Sequence, residues 1–286
     1  MSESGYIKFS IDLEDARDGV TGGMKYQEAV TRNTTRYLEW LEKTGSKCTF
    51  FVTGTVAERY PFLVRDIFVS GHEIACHTAR HVPLDGYTPD EFRADLNRNL
   101  SLLAGAGVTD IKGFRAPSYS MTSHTSWAYR ILEEAGIEYS SSVLPGKNPL
   151  GGWPGFGNSP CLVNGRVLEI PLTTVNAGIF YLPVGGGIYF RVLPFIVSKY
   201  FIMNRIKKGE AVIAYFHPYD IDTQQERFMH GGIANSRFYN KLMYMNRNLV
   251  ITRLEEIING GGKITTYARL AAELRERNGL RICKTY

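Results

Sequence analysis

Cysteine is scarce in this 286-residue chain, and the four present, Cys48, Cys76, Cys161 and Cys283, are far apart with no CxxC pair. That spacing excludes a zinc knuckle and argues against a disulfide-stapled scaffold. Cys48 and Cys76 fall in apolar runs and read as buried free thiols. Long uncharged apolar stretches are also missing. The nearest, AGIFYLPVGGGIYF at 177–190, is broken by glycine and proline and falls short of the ~20 residues a bilayer span needs. The opening MSESGYIKFS lacks the charged segment and apolar core of a secretory signal, so the expectation is a cytoplasmic protein. There is no low-complexity tract and no strict repeat. The net charge of +5 is scattered, with RIKK at 205–208 the densest basic block, which argues against nucleic acid as a partner.

What is present is an ordinary globular composition, 44% hydrophobic and 21% charged, long enough for one domain over 1–286 with a substantial core. Strand and helix patterns alternate. Short apolar runs at 6–11 (YIKFSI), 48–52 (CTFFV), 73–76 (EIAC), 112–114, 137–140, 167–172, 212–216 and 263–265 read as strands. Helical spacing predicts helices over 27–44, 57–70, 88–103, 125–135, 193–207 and 249–259. The third of these opens on a capping box, Thr88-Pro89-Asp90-Glu91. A Gly/Pro-rich region near 144–166 reads as a long loop. This alternation implies an α/β fold with a parallel sheet, open or closed, whose chemistry collects at the carboxyl ends of the strands.

That rule selects residues. Asp12 follows YIKFSI, His77 follows EIAC, Arg115 follows KGF and His217 follows VIAYF. In HTARH, His77 and His81 are four apart, so a helical turn would point both imidazoles the same way. A divalent cation held by two nitrogens still needs an anionic oxygen. The run Asp12-Leu13-Glu14-Asp15 offers it: strand alternation puts Glu14 on the face of Asp12, and Asp15 is the alternative ligand. Arg115 opens RAPSY, where Pro117 stiffens a turn and an arginine could grip a carboxylate bidentately. His217 in FHPYD has the chemistry of a general acid near neutral pH. His124 and His230, in polar surroundings, read as surface residues. Trp153 in GGWPG, and Tyr189 with Phe190 in GGGIYF, are candidates for an aromatic wall on which a ligand stacks; loop packing is the competing reading.

Together TFFVTGTVAERYPFLVRDIFVSGHEIACHTARH, RAPSY and FHPYD, in this order, resemble the polysaccharide deacetylases of NodB homology, carbohydrate esterase family 4. Within it, FSIDLED and VIAYFHPYDID look most like the branch associated with exopolysaccharide and O-antigen loci and with peptidoglycan-deacetylase-like members. The resemblance implies a distorted (β/α) barrel of about seven strands. It implies hydrolysis of an N-acyl sugar assisted by a divalent cation, zinc first, with cobalt, manganese or nickel as substitutes. His77, His81 and a carboxylate would be the ligands, and Asp12 the base taking a proton from water. Arg115 would orient Asp12, the backbone N–H of Tyr119 would stabilise the oxyanion, His217 would protonate the departing amine, and His72 in GHEIA would be a packed structural histidine. Thr78, Pro117, Trp153 and Tyr189 are the substrate-contacting candidates. Family members carry two adjacent aspartates where this chain has Asp12-Leu13-Glu14-Asp15, which leaves Glu14 and Asp15 both open as the third ligand.

The first functional reading is therefore a metal-dependent N-deacetylase of bacterial surface-polysaccharide metabolism. Its substrate would be an N-acylated sugar, nucleotide-linked, lipid-linked or oligomeric. A related deformylase or allantoinase-like amide hydrolase, working without metal, is the second reading, and a non-catalytic carbohydrate-binding barrel the third. The apolar 177–190 run and LPFIVSKYFIMNRIKK at 193–208 suggest peripheral membrane contact. The resemblance also allows a homo-oligomer.

Overall fold

The computed structural model describes residues 6–146, 152–176, 178, 181–231, 233, 235–276 and 279–285. Part of the expected 144–166 loop and part of the 177–190 run lie outside these. The strands are β1 Tyr6–Leu13, β2 Thr49–Val52, β3 Glu73–Cys76, β4 Gly113–Phe114, β5 Tyr139–Ser140, β6 Cys161–Val163, β7 Val167–Glu169, β8 Thr174–Asn176, β9 Tyr181–Pro183, β10 Val212–Phe216, β11 Lys263–Thr265 and β12 Arg281–Cys283. The helices are α1 Val30–Lys43, α2 Gly54–Arg59, α3 Pro61–Val69, α4 Pro89–Gly105, α5 Ala128–Glu134, α6 Gly187–Val192, α7 Phe195–Lys207, α8 Arg237–Met243, α9 Val250–Asn259 and α10 Tyr267–Glu276.

The main sheet runs β10-β1-β2-β3-β4-β5-β7-β6-β12, with β11 also on β1. From β10 to β7 every pairing is parallel, which makes a seven-stranded run, the number the family resemblance implied. Among the described residues no ladder joins β7 back to β10. Instead the Ile213 N–H donates to Thr173 Oγ1 at 2.8 Å across the gap. The ring is thus a distorted barrel, closed at this seam by a side chain rather than by strand pairing.

β1 explains how the site is aimed. Its alternate residues Ile7, Phe9, Ile11 and Leu13 pack in the outer core with Tyr37, Trp40 and Leu41 of α1. The intervening Lys8, Ser10 and Asp12 are also buried, so this polar row faces the barrel interior. The same period operates on β2, where Phe50 and Val52 join the outer cluster and Phe51 the inner one. α10 lies against the amino ends of the strands: the Tyr267 N–H donates to Thr49 Oγ1 at 2.8 Å and the Ala268 N–H to Glu73 Oε2 at 2.9 Å.

The capping box at Thr88 and Glu91 forms as expected, with both reciprocal bonds present. Several expectations need correction. The single helix expected over 57–70 is two, α2 and α3, broken at Tyr60 because Pro61 has no N–H to continue α2 and instead starts α3. Asp12 lies within β1, in register with Phe51, rather than beyond its end. Residues 161–163 of the expected loop form β6, antiparallel to β7. Cys161 and Cys283 are disulfide-bonded, their Cα atoms 5.9 Å apart, and clasp β6 to β12. Cys spacing in sequence carries no information on such a long-range pair. Cys48 and Cys76 are buried free thiols. His230 is buried rather than on the surface: Arg247 Nη2 approaches its Nε2 at 3.3 Å, and burial pushes its pKa down to about 3.

Candidate active site

HTARH is not a helical turn. Residues 77–83 are irregular, and Thr78 and His81 both adopt left-handed backbone, φ 62° and 55°. That conformation is costly for a β-branched threonine, so the surroundings must hold it. The Thr78 carbonyl accepts from the Gly54 N–H at 3.0 Å and from Asn99 Nδ2, while Thr78 Oγ1 accepts from the His81 N–H at 3.1 Å. Asp95 takes the Ala79 N–H at 2.6 Å and Arg80 Nε at 2.9 Å. A Cβ on Gly54 would come within 2.8 Å of Ala79 Cα, so glycine is required where α2 meets this loop. The strained loop, not helix periodicity, brings the two imidazole centroids to 4.9 Å.

His77 Nδ1 lies 2.7 Å from the Arg115 carbonyl oxygen. A carbonyl only accepts, so Nδ1 carries the proton and Nε2 keeps a lone pair. Burial pushes the His77 pKa down to about 4, which keeps it neutral. Glu14 Oε2 sits 2.6 Å from His81 Nε2. The two atoms are out of hydrogen-bond alignment, so this buried oxygen has no donor. Burial opposes ionisation of Glu14, yet His81, His217 and His77 together hold its carboxyl well below the usual range. Ligand atoms of Glu14, His77 and His81 all lie within 4.8 Å of one another. Two imidazoles and a carboxylate converging this closely supply the nitrogen and oxygen donors a divalent cation takes. Asp15 is elsewhere, buried against Arg17 Nη2 at 2.6 Å and Arg59 Nη1 at 3.3 Å. Glu14 is the carboxylate of the cluster.

Asp12 and Arg115 form a fully enclosed ion pair. The expected bidentate grip is absent. Arg115 Nη1 serves Asp12 Oδ1 and Ser10 Oγ, Nη2 serves Ser141 Oγ at 3.1 Å and the Tyr267 hydroxyl at 2.9 Å, and Nε serves the Ser141 carbonyl at 3.0 Å. All five N–H groups are engaged, and the guanidinium lies 3.9 Å over the Phe51 ring. The Asp12 charge acts on His77, His81 and His217 alike.

His217 stands at the end of β10, its Nε2 3.8 Å from Glu14 Oε1 and its Nδ1 3.1 Å from Asp220 Oδ2. Asp220 also takes the His217 N–H at 2.8 Å and pairs through Oδ1 with Arg191 Nε at 2.9 Å, both partners fully buried. Burial works against the charge on His217, but the Asp220 hydrogen bond and carboxylate outweigh it and lift the pKa to about 9. A Cβ on Gly186 would come within 1.9 Å of the Tyr215 carbonyl oxygen, so the glycines before α6 let Arg191 approach β10. Aromatic rings line this side: Tyr119 against Tyr215 at 5.1 Å, and Tyr219 stacked on His217 at 4.6 Å.

Other expectations fare differently. Pro117 and Tyr119 are buried in a short turn in which Ser118 and Tyr119 have φ 54° and 51°. The Tyr119 N–H donates to the Ala116 carbonyl at 3.2 Å, so here it closes its own turn instead of facing an oxyanion. Trp153 packs on Phe156 at 4.8 Å and joins the outer core, the loop-packing alternative. Phe190 is likewise core, against Phe195 and Phe216. Tyr189 interacts electrostatically with Tyr215 and so lies on the site's aromatic side. His72 is packed as expected, its Nδ1 accepting from the Cys48 N–H at 3.3 Å. Ser10, Ser141, Tyr267, Arg191, Asp220, Asp95 and Asn99 are structural partners that sequence reasoning missed.

Residues 20–140 match the family profile "Polysaccharide deacetylase", and residues 141–270 match a "Domain of unknown function (DUF3473)". Chitin deacetylase 1 of Cryptococcus neoformans var. grubii is 29% identical over 37% of this chain and 23% of its own length. The peptidoglycan-N-acetylglucosamine deacetylase of Bacillus cereus is 34% identical over 24% of this chain and 26% of its own length. The match thus spans about a quarter of each of these curated relatives. A Mycobacterium smegmatis protein described as a candidate polysaccharide deacetylase shares the fold. Its crystal structure superposes with a TM-score of 0.65 over 96% of this chain and 91% of the other, at 20% identity. The HTARH, RAPSY and FHPYD motifs gather at one mouth of a distorted barrel, and residues 20–140, which carry the first two, match the polysaccharide deacetylase family, carbohydrate esterase family 4.

Proposed function

We propose that the chain hydrolyses the N-acetyl, or another N-acyl, amide of an amino sugar with the help of a divalent cation, in bacterial surface-polysaccharide metabolism. The observation that carries this is the meeting of Glu14, His77 and His81, with Asp12–Arg115 and His217–Asp220 beside them. Zinc or a similar ion held there would supply Lewis acidity towards water and the acyl carbonyl. Asp12 accepts the proton of the attacking water on the carboxylate oxygen that Arg115 leaves open. His217, charged through Asp220, gives its Nε2 proton to the sugar nitrogen as the C–N bond breaks, releasing carboxylate and amine. The names of the chitin and peptidoglycan-N-acetylglucosamine deacetylases support an N-acetylated sugar as the substrate class.

The test is acetate release from short N-acetylglucosamine oligomers by zinc-loaded protein, with chelated protein as control. Release lost on chelation supports the reading, and undiminished release favours a metal-independent amide hydrolase. Sugar binding without hydrolysis of any acylated sugar would favour a binding barrel.

The compartment is part of the proposal. The closed Cys161–Cys283 bridge favours an oxidising environment over the cytoplasm expected from the sequence. Thiol labelling of protein taken directly from cells decides it: two reactive cysteines after unfolding place the pair as bonded, four as reduced.

A further inference from the structure

Eleven large hydrophobic side chains are exposed among the described residues, and seven of them fall between residues 196 and 249. Ile196 is 78% exposed, Phe238 68% and Tyr200 65%. They come from the first turns of α7 and from α8, a helix with no buried residue at all. Topology fixes where they lie. α7 leads into β10 and α9 into β11, and both strands run parallel to β1. Each helix therefore begins at the carboxyl end of the strands, where Asp12, His77 and His217 stand.

Arg191 fastens these starts into one platform. Its Nη1 donates to the carbonyls of Met243 and Met245, each at 2.9 Å, and its own carbonyl accepts from Asn246 Nδ2 at 2.8 Å. Arg253 at α9 donates to the Phe190 carbonyl at 2.6 Å and stacks over Phe195.

Charge selects the occupant. Residues 227–245, which include α8, carry Arg227, Arg237 and Lys241 and no aspartate or glutamate, in a chain that has 28 acidic residues. Arg227, Arg237 and Lys241 are exposed beside the apolar side chains. A second copy would bring like charges face to face, which disfavours self-association. A nucleic acid would leave Ile196, Tyr200 and Phe238 unused. Exposed aromatic and aliphatic residues set among cations suit the headgroup layer of an acidic bilayer.

We propose that this rim docks the barrel on an anionic membrane with its mouth towards the lipid, so that the acylated sugar is presented on a lipid carrier. The carrier half rests on the deacetylase reading above, and the docking half stands without it. The test is flotation with vesicles of phosphatidylcholine alone or mixed with phosphatidylglycerol. The full chain is expected to float with the mixed vesicles, less so at high salt, and not with phosphatidylcholine alone. The double variant Arg237→Glu/Lys241→Glu should weaken binding roughly tenfold or more. Tyr200→Ser/Phe238→Ser should also weaken it, and both should leave hydrolysis of soluble acetylated oligomers unchanged. No flotation, or equal flotation of all three proteins, overturns the proposal. So does a dimer in light scattering that the same variants dissociate, since a second copy would then cover the face. Vesicle binding without acetate release from soluble oligomers would retire the deacetylase reading and leave docking intact.

Discussion

Arg115 holds Asp12 through a single nitrogen and fixes its other N–H groups on Ser10, Ser141 and Tyr267. The arginine is thereby anchored independently of the carboxylate it orients. Asp12→Asn should keep the packing and lower kcat about 10²–10⁴-fold with little change in KM. Asp12→Asn and Asp12→Ala both leave the buried Arg115 cation without a counter-charge, and each should cost about 3–5 kcal/mol in stability. Steady-state kinetics and urea denaturation measure the two effects; an Asp12→Asn variant that folds and keeps its kcat would contradict the assignment.

Glu14 and Asp15 should part company in metal binding. His77→Ala and Glu14→Gln are expected to weaken zinc retention at least tenfold in equilibrium dialysis. Asp15→Asn should retain zinc but lose stability, because Arg17 and Arg59 lose their shared acceptor. Zinc lost from Asp15→Asn alone would move the ligand to Asp15.

The pH profile should report Asp220. His217 acts as an acid only while protonated, so activity is lost as pH rises through its pKa, lifted to about 9 by Asp220. In Asp220→Asn the alkaline limb of kcat should move to lower pH, and ¹H–¹⁵N spectra of the imidazole should show the same shift. A limb that stays in place would leave His217 without an acid role.

Stability should fall on mild acidification. Burial, with the Lys47 charge beside it, lowers the His72 pKa to about 4. The unfolded chain binds this proton first, so the contribution is full above the unfolded value of about 6.5 and is lost as pH falls towards 4. The total is on the order of 3 kcal/mol, and buried His77 and His230 act in the same direction. Thermal melts of wild type and His72→Asn across this range should converge at the acid end.

Reducing agent should loosen β12. Opening Cys161–Cys283, which are 122 residues apart, should lower stability by about 2–4 kcal/mol. Denaturation with and without dithiothreitol measures it, and Cys283→Ser should be insensitive to the reagent.

Much of the site was legible because it follows strand alternation. Once YIKFSI is a strand with alternating faces, Asp12 and Glu14 share the face opposite the apolar outer row. The positions of His77, Arg115 and His217 followed from strand ends alone. HTARH was found for a helical reason that does not operate, since its geometry comes from left-handed backbone held by α4. Asp95 and Asn99 did leave a trace: two polar residues four apart, set among Phe92, Leu96 and Leu103 on a buried helix face. Arg191, Ser141 and Tyr267 left none, because their partners lie 26 to 152 residues from them and no local pattern encodes such meetings.

Tyr267 reaches Arg115 from α10, well beyond the stretch that matches the deacetylase profile. A polypeptide ending at residue 140 would keep His77, His81 and RAPSY yet deny that guanidinium three of its acceptors, the Ser141 carbonyl, the Ser141 hydroxyl and the Tyr267 hydroxyl. The late helix is therefore a keystone for chemistry encoded in the first half of the gene, and exchanging the carboxyl half with a distant homologue should fail unless the tyrosine travels with it.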